Sequence, residues 1–156
     1  MVSINMSLLI FAFRYTIAEK VAEGLKISAR KIWLDSTEQA ITTFTTETHF
    51  SDYDYILGMG MYSGRDKGAL RIETTCSSQF RGSKTNLQML TIPYFLHSAP
   101  GIKLAKGIGN SYCNLVSYQL LSRSSHPNYT FIHIPKHFDP PHAADMLEWQ
   151  LQHLVS

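Results

Sequence analysis

Six apolar residues in unbroken succession, Leu8-Leu9-Ile10-Phe11-Ala12-Phe13, restrict the fold of this chain more than any other stretch. A strand shows successive side chains to opposite faces of its sheet, so a strand with no polar position has to be covered on both sides. The run is too short to span a bilayer. It is followed at once by Ile17, Val21, Ala22 and Leu25, which recur at helical spacing and close at Gly24 to Lys26. A doubly buried strand feeding directly into a helix is the unit of an α/β protein.

The alternation continues along the chain. Residues 27–34 predict a second strand, and residues 36–49 a helix opened by a Ser36-x-x-Gln39 capping pattern with Ala40, Ile41 and Phe44 on one side. Residues 53–60 predict a buried strand running into a glycine turn, residues 69–75 a further strand, and residues 92–96 an edge segment. The polar, irregular stretch 77–91 reads as a long loop or flap. Three glycines within residues 100–110 read as coil before a largely buried helix over 112–122. A turn at 124–128 then leads to a strand over 129–134 stopped by Pro135. The closing helix is predicted from about Pro141 to Val155, with Ala144, Leu147, Leu151 and Leu154 inward and Trp149 in the same packing stripe. Strands alternating with helices imply a mostly parallel sheet covered on both faces.

A chain of 156 residues fits one domain, 1–156, and the hydrophobic content of 44% against 17% charged residues excludes a disordered chain. Fourteen basic and 12 acidic residues are dispersed, leaving a net charge of +2 with no dense basic block, so neither nucleic acid nor an anionic membrane is an expected partner. Two cysteines, Cys76 and Cys113, make no disulfide framework. The opening residues lack the basic segment and small-residue cleavage site of a signal peptide, so reduced thiols and a cytoplasmic location are the expectation.

The chemistry gathers around Cys113. It stands at or just inside a predicted helix N-terminus, where unpaired N–H groups and the helix dipole favour an anion and would lower a thiol pKa. A nucleophilic cysteine also needs a base, placed in space rather than in sequence. His133 ends the strand that follows the helix opened by Cys113, and a right-handed crossover would bring both to the carboxyl-side edge of the sheet. Glu73, an acidic residue in the apolar Leu70-Arg71-Ile72-Glu73, is the candidate to orient the imidazole, since burying it without purpose is costly. Met59-Gly60 and the glycines at 107 and 109 are candidate backbone donors for an oxyanion.

Five segments, taken in order, resemble the signature stretches of the pyroglutamyl peptidases, also called pyrrolidone-carboxylate peptidases. They are Asp54-Tyr55-Ile56-Leu57-Gly58-Met59-Gly60, Gly64-Arg65, Leu70-Arg71-Ile72-Glu73, Gly109-Asn110-Ser111-Tyr112-Cys113-Asn114 and Phe131-Ile132-His133-Ile134-Pro135. The resemblance implies a three-layer α/β/α sandwich, and a cysteine peptidase that removes an amino-terminal pyroglutamyl residue with Cys113 as nucleophile, His133 as base and Glu73 as orienting group. It implies a peptide or small amide substrate and no cofactor or metal, and leaves a homo-oligomer open. The chain departs from the family where Phe13-Arg14 passes almost directly into a helix, without the Gly-Phe-x-Pro-Phe-Gly-Gly loop that helps enclose the pyroglutamyl ring. Phe13, with Phe11, is then the candidate for an aromatic contact to substrate. Thr74 and Ser111 also differ from the residues usual at their positions.

Each assignment has a plainer counterpart. Free cysteines are commonly inert core residues, the reading kept for Cys76. His137 competes with His133 as base, and Glu73 could be a solvated edge-strand residue paired with Arg71 or Arg81. Arg65 either binds a substrate carbonyl or is an exposed structural arginine. His126, His133, His137 and His142 form a loose group with Cys113, but their spacings match no familiar metal motif. Beside the hydrolase stands a reading of another class, a catalytically weakened relative that uses the same cleft for binding.

Overall fold

The computed structural model describes residues 6–82 and 86–155. In chain order the elements are β1 (Leu8–Phe13), α1 (Ile17–Gly24), β2 (Arg30–Leu34), α2 (Glu38–Glu47), β3 (Tyr55–Tyr62), β4 (Leu70–Glu73), β5 (Thr75–Ser77), β6 (Met89–Thr91), β7 (Ile102–Ala105), α3 (Tyr112–Ser124), β8 (Tyr129–Pro135) and α4 (Pro140–Gln152). Among the described residues the main sheet has six strands in the order β2-β1-β3-β8-β4-β7, and β5 and β6 pair separately. Strands β2, β1, β3 and β8 are mutually parallel; β4 and β7 are parallel to each other but antiparallel to β8. No helix among the described residues is long and apolar enough to cross a membrane.

The alternation of β1 builds both halves of the core. Leu8, Ile10 and Ala12 pack with Ile17, Val21 and Ala22 of α1 and Leu147 and Leu151 of α4. Leu9, Phe11 and Phe13 pack on the other face with Ile41 and Phe44 of α2 and Val116 and Leu120 of α3. The result is an α/β/α sandwich. The turn from β1 into α1 is short: Tyr15 takes a left-handed φ of 62°, and Thr16 caps the helix by accepting from the Ala18 N–H at 3.1 Å.

Several boundaries differ from the expectation. The cap of α2 is Thr37, which accepts from the Ala40 N–H at 3.1 Å, so Ser36 lies outside the helix. Thr45 and Thr46 survive inside α2 because their hydroxyls donate back to the Ile41 and Thr42 carbonyls at 3.0 and 2.6 Å. Gly60 is not a turn residue: β3 runs on to Tyr62. The strand expected over 69–75 breaks at Thr74, whose N–H and hydroxyl both donate to the Ala105 carbonyl at 2.9 Å, and the chain then enters β5 in the second sheet.

Residues 92–96 form no strand, because Pro93 cannot donate to a ladder; the pairing segment is β6, just before it. Part of the expected flap, residues 83–85, lies outside the described residues. Strand β7 sits where coil was expected, between Gly101 and Gly107, whose φ values are 84° and 131°. Trp149 does not join the inward stripe of α4; it is 62% exposed while Leu147 and Leu151 are buried.

Candidate active site

Sheet parity decides which side chains can meet. On β8, Ile132 and Ile134 belong to the α1/α4 half of the core and Tyr129 and Phe131 to the other, so His133 faces α3. On β4, Leu70 and Ile72 face α1/α4, which turns Arg71 and Glu73 toward α3 as well. The register sets Gly60 beside His133 on one flank and Arg71 beside it on the other, with Glu73 one diagonal step away. Three polar residues of two antiparallel strands therefore share one face at the carboxyl-side end of β3 and β8.

Their contacts are close. His133 Nδ1 and Glu73 Oε1 are 2.9 Å apart, and Arg71 Nε donates to the same oxygen at 3.2 Å. Glu73 is fully buried, His133 is 4% exposed and Arg71 8%. Glu73 Oε2 is buried without a hydrogen-bond partner among the described residues. Phe131 meets the His133 ring edge-on at 5.2 Å between centroids, and the Arg71 guanidinium lies 4.3 Å over the Tyr62 ring. Glu73 is thus neither solvated nor on an edge strand, although it does pair with Arg71.

Cys113 reaches this face from α3, two residues past the N-cap Ser111. A Cβ placed on Gly60 would stand 2.4 Å from Cys113 Sγ and 2.9 Å from the Phe131 ring, so the sulfur occupies space that only a glycine in β3 leaves open. The helix start is held by Asn114, fully buried, whose Oδ1 accepts from the Ser77 N–H at 2.8 Å. Its Nδ2 donates to the Ser77 and Gln79 carbonyls at 2.9 and 2.7 Å. These bonds tie β5 to the residue next to the cysteine.

Cys113 and His133 line one cleft of about 430 Å³ with Phe13, Tyr62, Ile108 and Tyr112 among others. Among the described residues no hydrogen bond joins the sulfur to the ring. A larger cleft, about 720 Å³, lies elsewhere along Thr45, His49, Arg123 and His126, and is lined by none of Cys113, His133 and Glu73.

The expected lowering of the thiol pKa at the helix N-terminus is reversed. Burial, and then the Glu73 carboxylate, push the Cys113 thiol up from 9.0 to about 12; its own backbone N–H acts weakly in the opposite direction. Burial pushes the Cys76 thiol up to about 12 as well and raises the Tyr129 hydroxyl, which shares a 2.7 Å hydrogen bond with Ser117. An acid whose pKa is higher folded than unfolded contributes stability that is complete below the unfolded value and lost as pH rises through the folded one. Stability is therefore expected to fall progressively between about pH 9 and pH 12, with Cys113→Ala and Cys76→Ala each flattening the slope. Urea midpoints across that range check it, and equal slopes in wild type and both variants would contradict it.

Among the other candidates, Phe13 lines the cleft while only 3% exposed, and Gly107 and Gly109 line it in left-handed conformations. Arg65 is exposed and not among the residues lining the cleft, and His137 is exposed beyond Pro135. The histidines do not converge: the His126 ring bonds the Tyr53 carbonyl at 2.7 Å, and His142 stacks on Phe138. Among the described residues no group of three or more His, Cys, Asp or Glu side chains could hold a metal ion. Arg71 and Asn114 were not singled out as site residues from the sequence. The signal for Arg71 was its two-residue spacing from Glu73, which places both on one face of a strand.

A mostly parallel sheet between two helix layers, with a cysteine at a helix start above its carboxyl-side edge, defines an α/β/α sandwich with a thiol-lined cleft. That sandwich is the fold of the pyrrolidone carboxyl peptidases. The structure is similar to the pyrrolidone carboxyl peptidase from Thermus thermophilus, with a TM-score of 0.74 at 15% identity, covering 94% of this chain and 100% of that one. It is similar to pyroglutamyl peptidase I from Bacillus amyloliquefaciens, with a TM-score of 0.73 at 14% identity over 92% of this chain and 94% of that one. For the pyrrolidone carboxyl peptidase from Thermococcus litoralis the TM-score is 0.60 at 11% identity, over 84% and 77%. No protein-family model matches the sequence. No curated protein matches it either.

Proposed function

We propose that this chain is a cysteine-type hydrolase resembling the pyroglutamyl peptidases, which cleaves an amide next to a small amino-terminal acyl group with Cys113 as nucleophile, His133 as base and Glu73 as the group that orients the base. The observation carrying this reading is the convergence of the three residues from β4, α3 and β8: an imidazole 2.9 Å from a buried carboxylate, with the thiol lining the same cleft. With Glu73 accepting from Nδ1–H, the lone pair of His133 is on Nε2, the nitrogen free to take a proton.

Because the resting thiol is held protonated, the sulfur loses its proton to Nε2 as it attacks the carbonyl carbon, instead of waiting as a preformed thiolate. The oxyanion that develops is stabilised by backbone N–H groups at the start of α3. Collapse expels the amine, which takes the proton from His133 and leaves a thioester. Water, deprotonated by the same ring, then attacks the thioester, releasing the acid and restoring the thiol. No Asp, Glu, Lys or Arg lines the cleft among the described residues, which favours a neutral acyl group. Both cysteines are free, in keeping with work in a reducing compartment such as the cytoplasm.

The second reading, a catalytically weakened relative that binds ligands in the same cleft, is favoured by the raised thiol and by the lack, among the described residues, of a hydrogen bond between Cys113 and His133. A panel of pyroglutamyl and other aminoacyl fluorogenic amides separates the two. The hydrolase reading expects turnover of at least one by wild type, reduced at least about 10³-fold by Cys113→Ala. Turnover of none, or equal turnover by the variant, would remove the hydrolase and leave the binding module.

A further inference from the structure

We propose that Arg71 is a positioning residue that keeps the Glu73–His133 pair from taking up a proton at neutral pH, so that the imidazole stays neutral with Nε2 available as a base. The inference rests on the catalytic reading above for its consequence, but not for its measurement.

The starting point is the charge balance of the buried cluster. Side-chain exposures are 10% for Arg71, 0% for Glu73 and 5% for His133. A carboxylate this deep is held ionised only by a compensating charge. Two groups could supply it. One is an imidazolium at His133, the other the guanidinium of Arg71, which carries its charge at every pH the fold survives. Both touch the same oxygen, Oε1, at 2.9 and 3.2 Å. Once Arg71 has neutralised Glu73, a second proton on the ring would place an uncompensated positive charge next to a guanidinium in the core. The arrangement Arg⁺, Glu⁻, neutral His and neutral Cys thiol sums to zero, and any added proton makes it positive.

The groups facing His133 from each packed element agree with this balance. From β4 come Arg71 and Glu73; from α3, Cys113, a neutral thiol; from β3, the Tyr62 ring at 5.8 Å between centroids. The loop residues 107–111 lining the cleft are Gly, Ile, Gly, Asn and Ser, none of which titrates. Among the described residues no second carboxylate lines the cleft to support an imidazolium.

Arg71 is also fixed in place. It stands opposite His133 in the antiparallel register of β4 and β8, and its guanidinium reaches across to lie over Tyr62. A Cβ on Gly107 would be 3.7 Å from Arg71 Nη2, so the loop closes down on the guanidinium at ordinary contact distance. A cation stacked on an aromatic ring and bonded through Nε holds the carboxylate in one orientation. Glu73 is thereby presented to Nδ1 and not to the sulfur.

The test reads protonation directly, by NMR of ¹⁵N-histidine and ¹³C-glutamate labelled protein at pH 7 without substrate. In wild type, His133 is expected as the neutral Nδ1–H tautomer with an unprotonated Nε2, beside an ionised Glu73. In Arg71→Met, one proton is expected on the pair, seen as loss of the unprotonated Nε2 signal or as a protonated Glu73 carboxyl. Arg71→Lys, which keeps the charge, is expected to restore the wild-type pattern. An imidazolium in wild type overturns the proposal whether or not Arg71→Met folds, and so does an unprotonated pair in Arg71→Met. A silent substrate panel together with a neutral wild-type ring would remove the hydrolase and leave the role of Arg71 standing. An active enzyme with a wild-type imidazolium would do the reverse.

Discussion

Glu73→Gln is expected to lower the stability of the fold by about 3–5 kcal/mol, the cost typical of removing one partner from a buried ion pair. Glutamine has nearly the shape of glutamate and can still accept from Arg71 Nε and His133 Nδ1, so packing is little altered. What is lost is the carboxylate that, among the described residues, pairs with the guanidinium of the buried Arg71. The uncompensated charge of Arg71 then dominates the change. The Oε2 atom adds a smaller effect, because the amide NH₂ that replaces it would be a buried donor at a position that now has no hydrogen-bond partner among the described residues. Urea unfolding of wild type and variant at pH 7 measures the difference. The double variant Arg71→Met/Glu73→Leu is expected to recover most of it, since apolar replacement of a whole buried pair is often neutral. A midpoint for Glu73→Gln within about 1 kcal/mol of wild type would mean that water reaches the guanidinium.

Gly60→Ala is expected to cut turnover by about 10²-fold or more while the protein stays folded. The new methyl would lie 2.4 Å from Cys113 Sγ and 2.9 Å from the Phe131 ring, where carbon contacts relax to roughly 3.5–4.0 Å. Phe131 is fully buried in the α2/α3 half of the core and has little room, so the sulfur is displaced by about 1 Å or more. A displacement of that size is enough for a rate loss of this order. The destabilisation from overpacking is about 1–3 kcal/mol, within what a domain of this size tolerates. Steady-state kinetics and a thermal melt on the same sample give both numbers. Unchanged turnover in Gly60→Ala would show that the sulfur has freedom the structure does not suggest. Gly60 thus acts through the volume it leaves empty, whereas the sequence suggested a backbone donor.

The elements read correctly from sequence are those in which pattern and burial coincide. Residues 8–13, apolar throughout, are a strand buried on both faces, and the helix expected over residues 112–122 runs over Tyr112–Ser124, starting one residue before the cysteine. The elements misread are those with weak patterns. Strand β7 has one buried side chain, Ile102, while Leu104 is 44% exposed, so its four residues carry no alternation that outweighs the flanking glycines. Missing that strand also meant missing how α3 is entered. The crossover imagined for Cys113 and His133 is in fact a return through residues 106–111 from a strand antiparallel to β8, with Gly107 and Gly109 supplying the left-handed turns. Cys113 and His133 came to the same edge by a route different from the one inferred.

Composition, period and motif were sufficient for the class of fold, because it depends on side-chain identity and local repeat. Pairing was not: the antiparallel placement of β4 beside β8 sets Arg71 opposite His133 and lets Glu73 reach Nδ1, and register is a property of two strands at once. The protonation of the thiol was likewise outside local reach. A helix N-terminus argues for an anion, yet desolvation and the nearby carboxylate outweigh it and hold the proton on sulfur. Solvent exclusion and charge proximity arise only when separate segments pack together.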